Sequence, residues 1–92
     1  MRLIKHNFGI ITENETIYLK YLSGLIDSCD ELATVEIFKN PLSITCRIAC
    51  SNPRYTQTVL KQLLEFHTLL NIKFNLSKSI RATQRINFEI SL

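Results

Sequence analysis

The stretch from Ile72 to Leu92 alternates between apolar and polar side chains with almost no interruption. Every odd-numbered position is polar, and every even-numbered position except Lys78 and Gln84 is apolar. This two-residue period is typical of a β-strand that buries one face and leaves the other in water. A single strand of this length would span about 70 Å, whereas a domain of this size has a radius of gyration of about 12 Å. The stretch therefore predicts a terminal hairpin of two strands.

The turn of this hairpin must contain an odd number of residues, because both strands carry their apolar side chains at even positions. Two centres satisfy this condition, Lys78 and the 82–84 region. A turn centred on the middle of the 82–84 region places Arg81 directly opposite Arg85. Like charges so paired are destabilising unless an anion or an acidic partner bridges them. A turn at Lys78 instead places Arg81 opposite Asn75, and the sequence leaves both registers open.

The rest of the chain predicts two helices and three strands from the spacing of its apolar residues. Their expected bounds are a strand over 2–11, a helix over 13–33, strands over 34–39 and 42–51, and a helix from 52–53 to about 71. Thr12 and Glu15 have the spacing of a capping box at the start of the first helix. Asn52 followed by Pro53 is a favourable start for the second helix, because Asn caps well and Pro suits the first helical position.

The two middle strands are expected to form an antiparallel hairpin around Asn40–Pro41. Their apolar residues have opposite parity, so a loop of two or four residues keeps both apolar sets on one face. This arrangement places Ile37 opposite Ile44 and Val35 opposite Cys46.

The predicted order of elements is therefore β-α-β-β-α-β with a further strand at the carboxyl terminus. Each strand has one apolar face, and two helices can cover that face of an antiparallel sheet while the other stays open. The sequence predicts an α+β fold, a ferredoxin-like βαββαβ plait with an extra C-terminal strand and both helices on one face. Its length of 92 residues predicts a single domain over 1–92.

The cysteines and the start of the chain favour a cytoplasmic protein. Cys29, Cys46 and Cys50 are odd in number and lack paired spacing, which is typical of thiols in a reducing compartment. The charged first residues do not resemble a signal peptide, and no apolar run reaches the roughly 20 residues that a membrane span needs. The abundance of Ile, Leu, Asn and Lys points weakly to an AT-rich source such as a phage or mobile element.

Metal, cofactor and catalytic motifs are not found in the sequence, which predicts a non-enzymatic protein without a cofactor. Cys46 and Cys50 lie about 13 Å apart on one extended strand, too far to share a zinc ion, and all three cysteines fall on expected core positions. His6 and His67 are interpreted as core or boundary residues, with a catalytic role as the less favoured alternative. Two glycines cannot form a phosphate-binding loop.

The acidic and basic residues are distributed unevenly around a net charge of +3. Asp27, Asp30 and Glu31 are expected to form a solvated acidic patch at the end of the first helix. Bases dominate elsewhere, and on strand parity several of them collect on the open face of the sheet. The candidate binding residues on this face are Lys5, Phe38, Arg47, Lys73, Arg81 and Arg85.

Two functions agree with an uneven distribution of charge and a sheet that has one open face. The favoured hypothesis is a small interaction module, a regulator or inhibitor encoded by a phage or mobile element, that binds a protein partner or a second copy of itself. The alternative is a nucleic-acid-binding protein whose basic sheet face contacts phosphates. Neither hypothesis involves a membrane.

Overall fold

The computed structural model describes residues 1–76 and 84–91, which form five strands and two helices. In chain order these elements are β1 (Arg2–His6), α1 (Glu13–Cys29), β2 (Thr34–Lys39), β3 (Ser43–Ala49), α2 (Pro53–Leu69), β4 (Phe74–Leu76) and β5 (Arg85–Ser91). Neither helix is long and apolar enough to cross a membrane.

The strands form one sheet in the order β1-β2-β3-β5-β4. β1 pairs parallel to β2, with α1 as the crossover, and the other three pairs are antiparallel. The sheet is therefore mixed rather than wholly antiparallel. The predicted α+β class, order of elements and extra terminal strand are confirmed, and the arrangement is roughly that of a ferredoxin-like plait.

Both helices pack on the same face of the sheet, as predicted. The buried side chains of β2, β3 and β5 alternate along each strand and meet the buried stripes of α1 and α2 in one apolar cluster. The fully buried members of the sheet are Val35, Ile37, Ile44, Cys46, Ile48, Ile86 and Phe88. The opposite face is not covered by any helix or strand in the described part of the chain, and we call it the open face.

Both helices begin where the capping signals predict. Thr12 accepts a hydrogen bond from the amide of Glu15 (3.2 Å), and Asn52 accepts one from the amide of Arg54 (3.0 Å), with Pro53 in the first turn. The Glu15 carboxylate also forms an ion pair with Lys39 at 2.8 Å. This contact joins the start of α1 to the end of β2.

The second helix ends close to the predicted stop at Asn71. This residue adopts a positive φ of 55°, which Asn tolerates better than most side chains. Its amide donates to the carbonyl of Thr68, and the amide of Ile72 donates to the carbonyl of His67. These paired bonds satisfy the last helical carbonyls and turn the chain toward β4.

The first helix ends four residues before the predicted limit of 33, because Asp30 leaves the helix. Its carboxylate accepts hydrogen bonds from the amide of Ser51 (2.7 Å), the hydroxyl of Ser51 (2.6 Å) and the amide of Leu32 (3.2 Å). Asp30 is only 4% exposed. The predicted solvated patch is therefore wrong for this residue, which instead joins the end of α1 to the loop after β3.

The β2–β3 hairpin has the predicted parity but a register shifted by two residues. Ile37 lies opposite Cys46, rather than opposite Ile44 as expected. The cause is Leu42, which belongs to the turn and is 78% exposed. The side-chain oxygen of Asn40 accepts hydrogen bonds from the amides of Leu42 and Ser43, and this local structure centres the turn one residue later than the apolar pattern suggested.

The predicted parity of the first strand is wrong. β1 ends at His6, and Asn7 has a positive φ of 52°. This turn breaks the alternation that the sequence pattern carried through to Phe8. Because partners in a parallel pair share a face, the register of His6 with Phe38 places His6 on the open face, and that of Lys5 with Ile37 places Lys5 on the helix side.

The terminal strands pair in the register expected of the second predicted alternative, a turn in the 82–84 region, and not in that of a turn at Lys78. Asn75 lies opposite Glu89, whereas the turn at Lys78 requires Arg81 there and the turn centred at position 83 requires Ser91. The observed pairing is symmetrical about position 82, within that region. Arg81 itself falls outside the described residues.

Gly24 is a weak point in α1 that a substitution should relieve. A methyl group added at its Cα would meet no atom within 4 Å, and its φ is not positive. We expect Gly24→Ala to raise the free energy of unfolding by about 0.5–1 kcal/mol, because glycine has the larger backbone entropy to lose. Urea denaturation followed by circular dichroism measures the change. A loss of stability would contradict the prediction and would mean that the space above Gly24 is occupied.

Candidate interaction surface on the open sheet face

The open face carries a mixture of aromatic, charged and polar side chains. Strand register identifies its members, because residues opposite each other in a sheet point to the same side. In the order of the strands in the sheet they are Arg2, Ile4, His6, Thr34, Glu36, Phe38, Ser43, Thr45, Arg47, Ala49, Arg85, Asn87, Glu89, Ser91 and Asn75.

Three of these side chains form a stack across β1, β2 and β3. The rings of His6 and Phe38 lie nearly parallel, with centroids 4.5 Å apart and planes 10° apart. The guanidinium of Arg47 lies over the Phe38 ring, 4.8 Å from its centroid. Since β1 and β3 flank β2, His6 and Arg47 approach the ring from opposite sides. We call these three residues the stack.

Glu36 contacts the His6 end of the stack. The Nε2 atom of His6 lies 3.2 Å from a carboxylate oxygen of Glu36, and both side chains are 40% exposed. Contact with Glu36 and Phe38 limits the rotamers of the His6 ring. The stack is therefore assembled before any partner arrives, which lowers the conformational entropy lost on binding.

A small pocket of about 210 Å³ opens beside the stack. Its polar lining consists of Thr34, Glu36, Arg47, Arg85 and Asn87, and the rest comes from Ile48 and Ala49. The side-chain oxygen of Asn87, another residue of this lining, is buried and has no hydrogen-bond partner among the described residues.

The structure brings together three of the six candidate binding residues: Phe38, Arg47 and Arg85. Lys5 is wrongly placed by the sequence pattern, because it lies on the helix side of the sheet with its ammonium 5.1 Å from the centroid of the Phe8 ring. Lys73 is exposed just before β4. Arg81 lies outside the described residues, so its role stays a prediction.

Sequence reasoning missed His6 and did not single out Asn87. The sequence pattern places His6 on the apolar face of a longer strand. Asn7 is the signal that this strand ends at His6, because Asn tolerates the positive φ of the turn that follows β1. Asn87 lay on the predicted open face, but alternation alone cannot reveal an unpaired amide.

His67 is a satisfied core residue, as the sequence interpretation favoured. It is fully buried, and its ring packs 4.4 Å from the ring of Phe74. Nδ1 lies 2.8 Å from the carbonyl of Leu63 and must donate to it, so Nε2 accepts from the hydroxyl of Tyr18 at 2.6 Å. Burial lowers the pKa of His67. Both nitrogens are occupied, which leaves neither free for a ligand.

The neutral state of His67 makes stability depend on pH. Because the folded pKa lies below the unfolded value of 6.5, the unfolded chain binds the proton more tightly. Stability is therefore complete above pH 6.5 and is lost as the pH falls through the folded pKa. We expect the free energy of unfolding to decrease between pH 7 and pH 5.5, measured by urea denaturation. His67→Gln should abolish this slope, and His6→Gln should retain it. A slope that persists in His67→Gln would contradict the assignment.

The three cysteines are free thiols. Burial raises the pKa of Cys46 to about 12 and also raises the pKa of Cys50. These thiols stay protonated near neutral pH and are poor nucleophiles. Among the described residues, no group of three or more His, Cys, Asp or Glu side chains could hold a metal ion.

No family model and no curated protein matches this sequence.

Proposed function

We propose that this chain is a non-enzymatic binding module that docks on a protein partner, or on a second copy of itself, through the open face. The observation that carries the proposal is the stack, an aromatic ring held between an imidazole and a guanidinium on an uncovered sheet. Aromatic and arginine side chains supply a large share of the binding energy at protein interfaces. A regulator or inhibitor that occupies the surface of its target would act in this way.

The charge of the open face favours a protein over a polyanion. Arginines at positions 2, 47 and 85 are interspersed with Glu36 and Glu89. Nucleic-acid interfaces are much more positive than protein interfaces. A surface with both signs instead matches the mixed charge of a protein partner, where complementarity gives specificity.

Nucleic-acid binding is the second candidate, favoured by the two arginines that line one pocket. Against it, both faces of the Phe38 ring are covered by His6 and Arg47, so a base cannot stack on that ring. Retention of a mixed DNA and RNA pool at about 50 mM salt, lost steeply at higher salt, would support this candidate. No retention at low salt would eliminate it.

Site-specific photocrosslinking tests the protein-binding proposal. A benzoylphenylalanine placed at Thr45, opposite Phe38 in the sheet, should form adducts in an extract of the source cells or with a second copy of the chain. The same group at Lys61, exposed on α2, is the matched control. Arg47→Gln should reduce the Thr45 adducts and leave any Lys61 adducts unchanged. Equal crosslinking from both positions, or adducts insensitive to Arg47→Gln, would contradict the proposal.

A further inference from the structure

We propose that the pocket beside the stack receives the carboxylate of one Asp or Glu side chain of a protein partner. This inference rests on the proposed function and names the chemistry of the bound segment.

The first argument is the state of the two arginines. Among the described residues, neither Arg47 nor Arg85 lies within 4.0 Å of a carboxylate oxygen. Residues 77–83, which precede β5, contain no acid that could pair with them. Two guanidinium groups that line one pocket and have no carboxylate within 4.0 Å provide the donors that bind carboxylates most strongly.

The second argument is the shape of the sheet between these arginines. Arg85 lies opposite Ala49, and Arg47 lies opposite Asn87, so the two arginines are diagonal neighbours across β3 and β5. The small Ala49 side chain leaves space at the base of the pocket. A carboxylate that enters this space can accept hydrogen bonds from both guanidinium groups.

Glu36 sets the number of negative charges that the pocket accepts. Its side chain lines the same pocket and contacts His6 at 3.2 Å. Arg47 and Arg85 offset the negative charge of one carboxylate placed between them. Glu36 at the pocket edge would repel any further acids beside it. The bound segment is expected to present a single acidic residue.

Peptide titration tests this inference directly. Acetyl-Ala-Glu-Ala-amide is titrated into ¹⁵N-labelled protein, with acetyl-Ala-Gln-Ala-amide as the neutral match. The Glu peptide should shift the amide signals of Arg85 and Asn87, and the Gln peptide should bind about tenfold more weakly or worse, since the charge-assisted bonds are lost. Arg85→Gln should weaken binding of the Glu peptide by a similar factor. Lys61→Gln, which removes the same charge from α2, should leave binding unchanged.

Three results would overturn the inference: no shifts with millimolar Glu peptide, equal binding of the two peptides, or an equal loss in Lys61→Gln and Arg85→Gln. The outcome is separable from that of the proposed function. If adducts from Thr45 persist in Arg85→Gln and no peptide binds, the proposed interface stands and the carboxylate pocket is contradicted. If the peptide binds and Thr45 forms no adduct, the carboxylate pocket stands and the proposed interface is contradicted.

Discussion

Phe88→Ala is expected to lower the free energy of unfolding by about 4 kcal/mol, the cost of a large cavity in a packed core. Phe88 is 1% exposed at the centre of β5. Its ring contacts the rings of His67 and Phe74 edge-on, with centroids 5.3 and 5.9 Å away. A domain of this size has a total stability of about 5–15 kcal/mol, so the variant should be largely unfolded at moderate urea concentrations.

Phe38→Ala is the matched control for this prediction. It removes the same side chain from the half-buried open face, where solvent fills the space, and should cost much less. Equilibrium urea denaturation followed by circular dichroism compares the two variants. A loss in Phe88→Ala no larger than that in Phe38→Ala would show that the core does not depend on β5.

Asp30→Ala is expected to lower the free energy of unfolding by about 3 kcal/mol, because three partly buried donors lose the buried carboxylate that accepts from them. The carboxylate accepts from two groups of Ser51 and from the amide of Leu32. These contacts connect the end of α1 to the loop that leads into α2. Asp30→Asn should lose less than Asp30→Ala, because the amide oxygen still accepts.

The neighbouring acid provides the comparison for Asp30. Glu31 is exposed, and Glu31→Ala should change stability by no more than about 0.5 kcal/mol. Thermal and urea denaturation of the three variants measure the difference. Equal effects at the two positions would mean that both belong to the solvated patch that the sequence pattern suggested.

The sequence predicts the elements of this fold well where a local physical rule determines them. Alternation in the terminal stretch reflects burial of one sheet face, and the residues at Ile86, Phe88 and Ile90 are buried as expected. Thr12 and Asn52 cap the helices because a side-chain oxygen close in sequence satisfies a free amide. Such rules need no knowledge of the rest of the molecule.

The errors arise where a short turn competes with a longer pattern. At Leu42 an apolar side chain sits in the turn, because the hydrogen bonds of Asn40 determine the register. At Asn7 a positive φ ends the alternation, so the parity of Phe8 does not apply to the residues before it. His6 and Lys5 therefore lie on the sides of the sheet opposite to those predicted. The candidate site therefore gains His6 and loses Lys5.

Long-range polar contacts were also beyond the reach of the sequence. The partners Asp30 and Ser51 are 21 positions apart, and His6 and Glu36 are 30 apart. Spacing rules for helices and strands connect near neighbours only. The stack and the buried carboxylate both depend on which strands become adjacent, and this information appears only in the folded chain.

The position of β5 between β3 and β4 has a consequence for synthesis of the chain on the ribosome. β3 pairs with β2 and β5, but β5 is synthesised only after α2 and β4. Until then Ile44, Cys46 and Ile48 lie on a strand with an unpaired backbone edge, a template for pairing with another nascent chain. Translation that stalls between β3 and β5 is therefore expected to yield aggregation-prone fragments.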